Sequence, residues 1–368
     1  MDFFGYARTG VAMFFLLGIL IFIHELGHFL VARRNGIGVE VFALGFGHTL
    51  YSKKVGETEY KLCAFPLGGY VKLTGEDPDE ELTEEEKKAS FCMASPFTRL
   101  SVAFAGPLFN FLLAWFVFSF VYMLGVPVPG TTVGNVIEGK AAEKAGILKG
   151  DKVIAINNKK ITEWDELTAI VHKSPETPLN FQIERVVEAS AQREDSKLLE
   201  FTITPHSSKI KNVFGETEKV GLIGIQLDPS DYTTKSHNPI MAVYMGIEKT
   251  IYITQMTLVG IGKLIEGIIP KETVGGPIMI LQMAGQQAEA GIMPYAVFIA
   301  FISINLAIIN LFPIPVLDGG HIMFSLIEMI IGKPVNKKFM DYSMRVGVAF
   351  LVTLMCFAFY NDIMRLMK

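Results

Sequence analysis

Three ionisable side chains set within one apolar run carry the clearest chemistry in the sequence. His24, Glu25 and His28 lie in residues 20–31, LIFIHELGHFLV. Residues four apart share a face of an α-helix, so the two histidines sit about one turn apart on the same side. Two imidazoles so placed can bind one Zn²⁺, and the carboxylate beside them is positioned to act as general base on a metal-held water. The plainer reading is a pair of histidines packed in a helix bundle next to a charged neighbour. Ionisable groups at membrane depth are costly, however, and three within five residues favour a site.

A catalytic zinc takes three protein ligands and keeps one position open. The third ligand must come from elsewhere in the chain, at matching depth. The other histidines are His48, His172, His206, His237 and His321. The leading candidate is instead Asp318, a lone carboxylate in the apolar stretch NLFPIPVLDGGH at residues 310–321. There Pro313 and Pro315 break a helix, and Gly319 and Gly320 permit close backbone approach. His321 is the rival ligand. Asn305 and Asn310 place amides in the preceding apolar run, where interhelical hydrogen bonds would explain both. Asn310, nearer Asp318, could also hold a substrate carbonyl or a developing oxyanion.

The elements that must hold these groups are membrane elements. The chain has 368 residues, half of them hydrophobic, and a mean hydropathy of +0.38, too apolar for an ordinary soluble protein. A net charge of -4 gives no sign of a nucleic-acid partner. Cys63, Cys92 and Cys356 are scattered without CxxC spacing, so neither a disulfide framework nor a thiolate metal site is indicated. Four membrane-length runs are expected, at about residues 10–32, 101–124, 294–312 and 346–363. Arg33 and Arg34 follow the first run, which marks its end as cytoplasmic and argues against a cleaved signal peptide. That puts HELGH roughly 10 Å inside the cytoplasmic boundary.

Between the first two runs, residues 36–75 alternate in short β-forming stretches rich in glycine. A hairpin region dipping into protein-lined membrane space fits them, because irregular backbone there must be shielded from lipid. Residues 77–88 are acidic and read as a solvated loop or helix. In the second run, AGPLFN at residues 105–110 has Gly106 and Pro107 to loosen the helix, with Asn110 either packing or shaping the chamber. Residues 1–125 thus form the first part of a membrane domain and residues 293–368 the second. Residues 126–227 read as an inserted soluble α/β module: strand, short helix, strand, helix, then a hairpin. Residues 228–292 read as a linker and an amphipathic helix at the membrane surface. An additional span there would put the basic segment around residues 333–345 on the wrong side.

The chain resembles the site-2 protease family of intramembrane zinc metalloproteases, in its bacterial regulator-of-sigma-E protease branch. The matching runs are HELGH at 24–28, GFG at 45–47, FPLGGYVKL at 65–73, AGPLFN at 105–110 and NLFPIPVLDGGH at 310–321. The inserted module resembles a bacterial PDZ domain through AAEKAGILKGD at 141–151. Only one such module is present, where the enterobacterial form has two. His48 stands where the family often has proline after GFG, and it is given no role. The resemblance implies a polytopic α-helical membrane protein with four transmembrane helices, a membrane-associated β-hairpin region and one inserted PDZ domain. It implies zinc ligation by His24, His28 and Asp318, Glu25 as general base, and Asn310 in substrate handling. Substrate contact is expected along Phe65, Pro66, Leu67, Gly68, Gly69 and Tyr70. It further implies a place in the bacterial inner membrane, with the PDZ module extracytoplasmic and the active site near the cytoplasmic side. The substrates would be single-span membrane proteins pre-trimmed by another protease, such as anti-sigma factors or remnant signal peptides.

Overall fold

The computed structural model describes residues 3–77, 81–189, 193–212 and 214–367. It begins with helix α1 (Phe3–Arg34), strands β1 (Val39–Val55) and β2 (Thr58–Leu73), helix α2 (Glu84–Lys88) and helix α3 (Pro96–Leu124). Next come β3 (Val126–Pro129), β4 (Val133–Val136), α4 (Ala141–Ala145), β5 (Lys152–Ile156), β6 (Lys159–Lys160) and α5 (Trp164–His172). A run of strands follows: β7 (Leu179–Ala189), β8 (Arg193–Ile203), β9 (His206–Lys211), β10 (Thr217–Leu222), β11 (Ile225–Leu227) and β12 (Tyr232–Lys235). The chain ends in α6 (Pro239–Ile265), α7 (Pro277–Ala290), α8 (Ile292–Asn310), α9 (Asp318–Ile331) and α10 (Lys337–Leu366).

Among the described residues, four helices are long and apolar enough to cross a membrane: α1, α3, α8 and α10. These are the four runs expected, with α1 and α10 longer at both ends, α3 longer at its start, and α8 shifted two residues toward the N-terminus. Helix α10 starts at Lys337, inside the stretch expected to be a basic connection. The Asn336 side chain accepts from Lys338 N at 2.9 Å and caps the helix there. The chain divides into two compact units, residues 1–121, 238–262 and 270–368 in one, residues 122–237 and 263–269 in the other.

In the first unit, β1 and β2 form an antiparallel hairpin that doubles back on itself. Gly45 and Gly47 have φ of +88° and +84°, left-handed values that glycine adopts without penalty. They bend β1 so that residues 39–44 pair with residues 69–73 on one edge and with residues 59–62 on the other. Residues 49–55 pair with 58–63 beyond the bend. The result is four strand segments, with residues 69–73 along an outer edge. The hairpin region packs on α1 and α3, with Phe42 and Leu73 in one core with Phe29 of α1 and Val102 of α3.

Helices α1 and α3 cross at glycines. A Cβ on Gly27 would lie 2.4 Å from the Ala105 carbonyl oxygen, so only glycine permits this approach. Helix α7 falls inside the stretch expected to be a linker and surface helix. Too short to span, it packs instead against α1 and α8, in a core of Ala12, Leu16, Leu20, Ala284 and Phe298. Its first turn is capped by Asp362 of α10, which accepts from the N–H groups of Gly276, Ile278 and Met279. Helix α6 rests on α3 through Ala242, Gly246 and Thr250, and Trp115 Nε1 donates to the Val243 carbonyl at 3.2 Å.

In the second unit β4, α4, β5, α5 and the β7–β8 hairpin come in that order, and strands β9 to β12 follow the hairpin expected from sequence to be the last element. A sheet in the order β6-β5-β7-β8 covers α5 over a core of Val153, Ile156, Leu167, Phe181, Ile183 and Ile203. Buried Asp151 takes two hydrogen bonds from Arg185, at 2.6 and 2.8 Å, and one from Leu148 N at 2.8 Å. Strands β3 and β12 pair antiparallel from Val126 with Lys235 to Pro129 with Tyr232, which brings the unit's entry and exit together. All three cysteines are free.

Candidate metal centre

The bundle of the first unit gathers three ligand atoms at one point. His24 Nε2 and His28 Nε2 are 3.2 Å apart on α1. Asp318, the first residue of α9, places Oδ2 at 3.2 Å from His24 Nε2 and Oδ1 at 3.4 Å from His28 Nε2. Ligand atoms held tetrahedrally at 2.0–2.1 Å from a zinc ion lie about 3.3 Å from one another. The spacing of this trio fits that geometry. Asp318 Oδ2 is also buried without a hydrogen-bond donor, a cost that a cation would remove. Among the described residues this is the one group of three side chains that could hold a metal ion.

Helix α3 sets the two imidazoles. His28 Nδ1–H donates to the Val102 carbonyl at 2.8 Å, which leaves the lone pair on Nε2. Asn110 is fully buried, with its amide 3.3 Å from His24 Nδ1. In the orientation that puts its otherwise unpartnered Oδ1 on the ring N–H, it does for His24 what Val102 does for His28. Ser303 of α8 donates to the Asn110 carbonyl at 2.8 Å and ties a third helix to the same point. Gly106 faces the histidines directly: a Cβ there would stand 2.3 Å from His28 Nε2, the ligand atom itself. Pro107, lacking an N–H, frees the carbonyl one turn earlier, that of Ala103, which lines the cavity.

A cavity of about 200 Å³ opens at the trio, lined by Glu25 and by the 69–73 strand segment. Gly69 presses on Glu25, since a Cβ would lie 3.2 Å from Glu25 Cγ and 2.8 Å from Ile21 Cγ2. Tyr70 lines the cavity and stacks on Phe46, whose ring occupies the space a side chain at Gly68 would need. Phe65 is exposed at the bend beside Gly47. Pro66 and Leu67 continue β2, but their side chains lie outside the described residues. Asn310, the last residue of α8, brings Nδ2 to 3.5 Å from His24 Nε2. Asn305 turns away and donates to the Phe301 carbonyl of its own helix at 2.8 Å.

His321 lines the cavity but stands outside the ligand trio, and His48 is exposed on β1. Glu76, in the turn after β2, also lines the cavity. Crowding by protein atoms pushes its carboxyl above the ordinary carboxylate range, opposed by the Leu73 N–H and by His321. Sequence reasoning missed Glu76 and the Val102 carbonyl, and it left Asn110 undecided. A backbone carbonyl has no sequence signal; Asn110 had one, as an amide inside an apolar run.

The family model of peptidase family M50 matches residues 12–354. The chain belongs to that family. M50 peptidases are the site-2 proteases, which use zinc, and this chain is accordingly a zinc metalloprotease. The M50 match runs from α1 into α10 and includes all three candidate ligand positions. A Campylobacter jejuni relative, provisionally named a zinc metalloprotease, is 36% identical over 98% of this chain and 95% of its own length. Protease RseP of Yersinia pestis is 32% identical over 95% of this chain and 97% of its own. Regulator of sigma-E protease RseP of Salmonella typhimurium is 31% identical over 96% and 98%.

Proposed function

We propose that this chain is an intramembrane endopeptidase that holds zinc on His24, His28 and Asp318 and uses Glu25 as its general base. The observation that carries this reading is the convergence of the four side chains in one cavity among helices of membrane-spanning length. Zinc held there supplies Lewis-acid polarisation of a carbonyl and a coordinated water of lowered pKa. Glu25 takes a proton from the attacking water and returns it to the departing amide nitrogen. Asn310 donates to the carbonyl oxygen as negative charge builds on it. A transmembrane substrate must first unwind, because its helix keeps every backbone group paired. The outer edge at residues 69–73 then takes the freed segment as an added strand, with Gly69 and Tyr70 against it and Phe65 to Gly68 at the bend.

A cavity of about 200 Å³ admits an extended segment and no folded domain. The resemblance to the site-2 proteases points to single-span membrane proteins already shortened by another protease, of the anti-sigma-factor or remnant-signal-peptide type, as the substrates. Arg33 and Arg34 end α1, Lys333 lies between α9 and α10, and Lys337, Lys338 and Arg345 lie in the first three turns of α10. The positive-inside rule puts these cations, and the active site near them, on the cytoplasmic side of a bacterial inner membrane. The second unit then faces away from the cytoplasm. Its strand–helix order and the AAEKAGILKGD run support a single PDZ module over residues 126–227, joined by the segment at 228–292 to the second membrane part. The test is cleavage of a single-span substrate in proteoliposomes. Glu25→Gln is expected to abolish cleavage while keeping zinc, and equal cutting by the variant and wild type would reject the chemistry.

A further inference from the structure

Away from the cavity, the first unit buries one ion pair that the chemistry above does not use. Glu328 of α9 is nearly inaccessible, and its Oε2 accepts from Arg99 Nη2 of α3. Its Oε1 accepts from Val335 N at 2.9 Å, in the connection to α10. One carboxylate thus joins α9, α3 and the start of the last helix. Buried charges are expensive, and such a pair is weak evidence for stability, so a positional role is worth asking for. Both partners stand on elements that carry the metal site. Arg99 is one turn before Val102, whose carbonyl fixes the His28 ring. Glu328 lies ten residues after Asp318 on one helix, about 15 Å along its axis.

At its other end α9 is held by close backbone packing. A Cβ on Gly319 would lie 2.1 Å from the Phe312 carbonyl oxygen, and one on Gly320 2.4 Å from Pro315 Cα. This fixes where the helix begins. The direction in which it points needs a second anchor, and the described contacts of Glu328 supply one. A helix pinned only at its first turn would swing and carry the Asp318 carboxylate off the two imidazoles.

We propose that the Arg99–Glu328 pair is a positioning device for the metal centre, locking the third-ligand helix to the helix that orients His28. The proposal rests on the zinc reading above. Its test is zinc affinity of the full-length enzyme in detergent, measured by competition with a chelator of known affinity. Arg99→Met and Glu328→Gln should each weaken zinc by about 10- to 100-fold, the usual range for groups that orient ligands. Arg99→Lys should fall between them and wild type, and the reversed pair Arg99→Glu with Glu328→Arg should recover most of the loss. Wild-type affinity in the single variants, or a reversed pair no better than the singles, would overturn the proposal. If the single variants do not fold, Arg99→Met with Glu328→Met leaves no unpaired buried charge and is measured instead. Wild-type affinity in that pair overturns the proposal equally, and a 10-fold or greater loss supports it. His24→Ala and Asp318→Asn run alongside: zinc retained in them would sink the metal reading, whereas zinc lost in them but retained in the ion-pair variants sinks only the positioning role.

Discussion

Asn110 and Gly106 face the histidines of the proposed metal site without being ligands, and each makes a different prediction. Asn110→Leu keeps the heavy-atom count and branching but removes the partner of His24 Nδ1; zinc affinity should fall about 10- to 100-fold, read by chelator competition. Gly106→Ala places a methyl group 2.3 Å from His28 Nε2 and should leave the enzyme without zinc. Gly18→Ala on α1 is its control, because nothing lies within 4 Å of the added carbon, and zinc content should not change. The side chains proposed as ligands could be picked out by type and spacing: HELGH offered two, and a lone carboxylate between helix breakers was the leading candidate for the third, ahead of His321. What supports them could not. Which carbonyl of α3 faces His28 depends on the rotation of one helix against another, and that rotation is fixed where Gly27 meets Ala105 and Gly106 meets the two histidines, not by either local sequence.

At the level of elements, the doubled hairpin matters most. Sequence alternation indicated strands over residues 36–75 but not the fold-back, because the same residues 39–44 serve two pairings and a linear pattern shows only one. The left-handed bends at Gly45 and Gly47 decide it. Through this fold-back the 69–73 segment reaches Glu25, which separates two kinds of defect. Gly69→Val presses on the general base rather than on the ligands. It should therefore lower kcat by about 100-fold, the order expected for an ångström-scale misplacement, with zinc content unchanged. Parallel loss of zinc would show that the strand supports the ligands instead. Helix α7 was hidden for another reason: its run is apolar but short of a span, and whether such a run lies on a surface or inside a bundle is settled by its partners.

For the whole molecule, the reading separates a metal-holding membrane unit from an inserted unit with its own core. Replacing residues 130–231 by a short flexible linker should leave zinc content at the wild-type level and cleavage of a stripped single-span substrate within several-fold, while substrates with bulkier extracytoplasmic domains become cleavable. Loss of zinc on excision would contradict that separation. The number and order of membrane runs could be read from the sequence because burial in lipid demands length and apolarity. The meeting of Val126 with Lys235 could not, since it pairs residues more than a hundred positions apart. That two-stranded neck makes everything beyond it a side branch of the chain. Such a branch can be lengthened, duplicated or lost, and the crossing count stays even, so α8 still re-enters from the same face and delivers Asp318 to the histidines. The match to the Yersinia relative extends over 451 positions against a chain of 368, so that relative carries added length within the matched region. On such a neck the inserted unit can change while the elements that carry the proposed cutting site stay as they are.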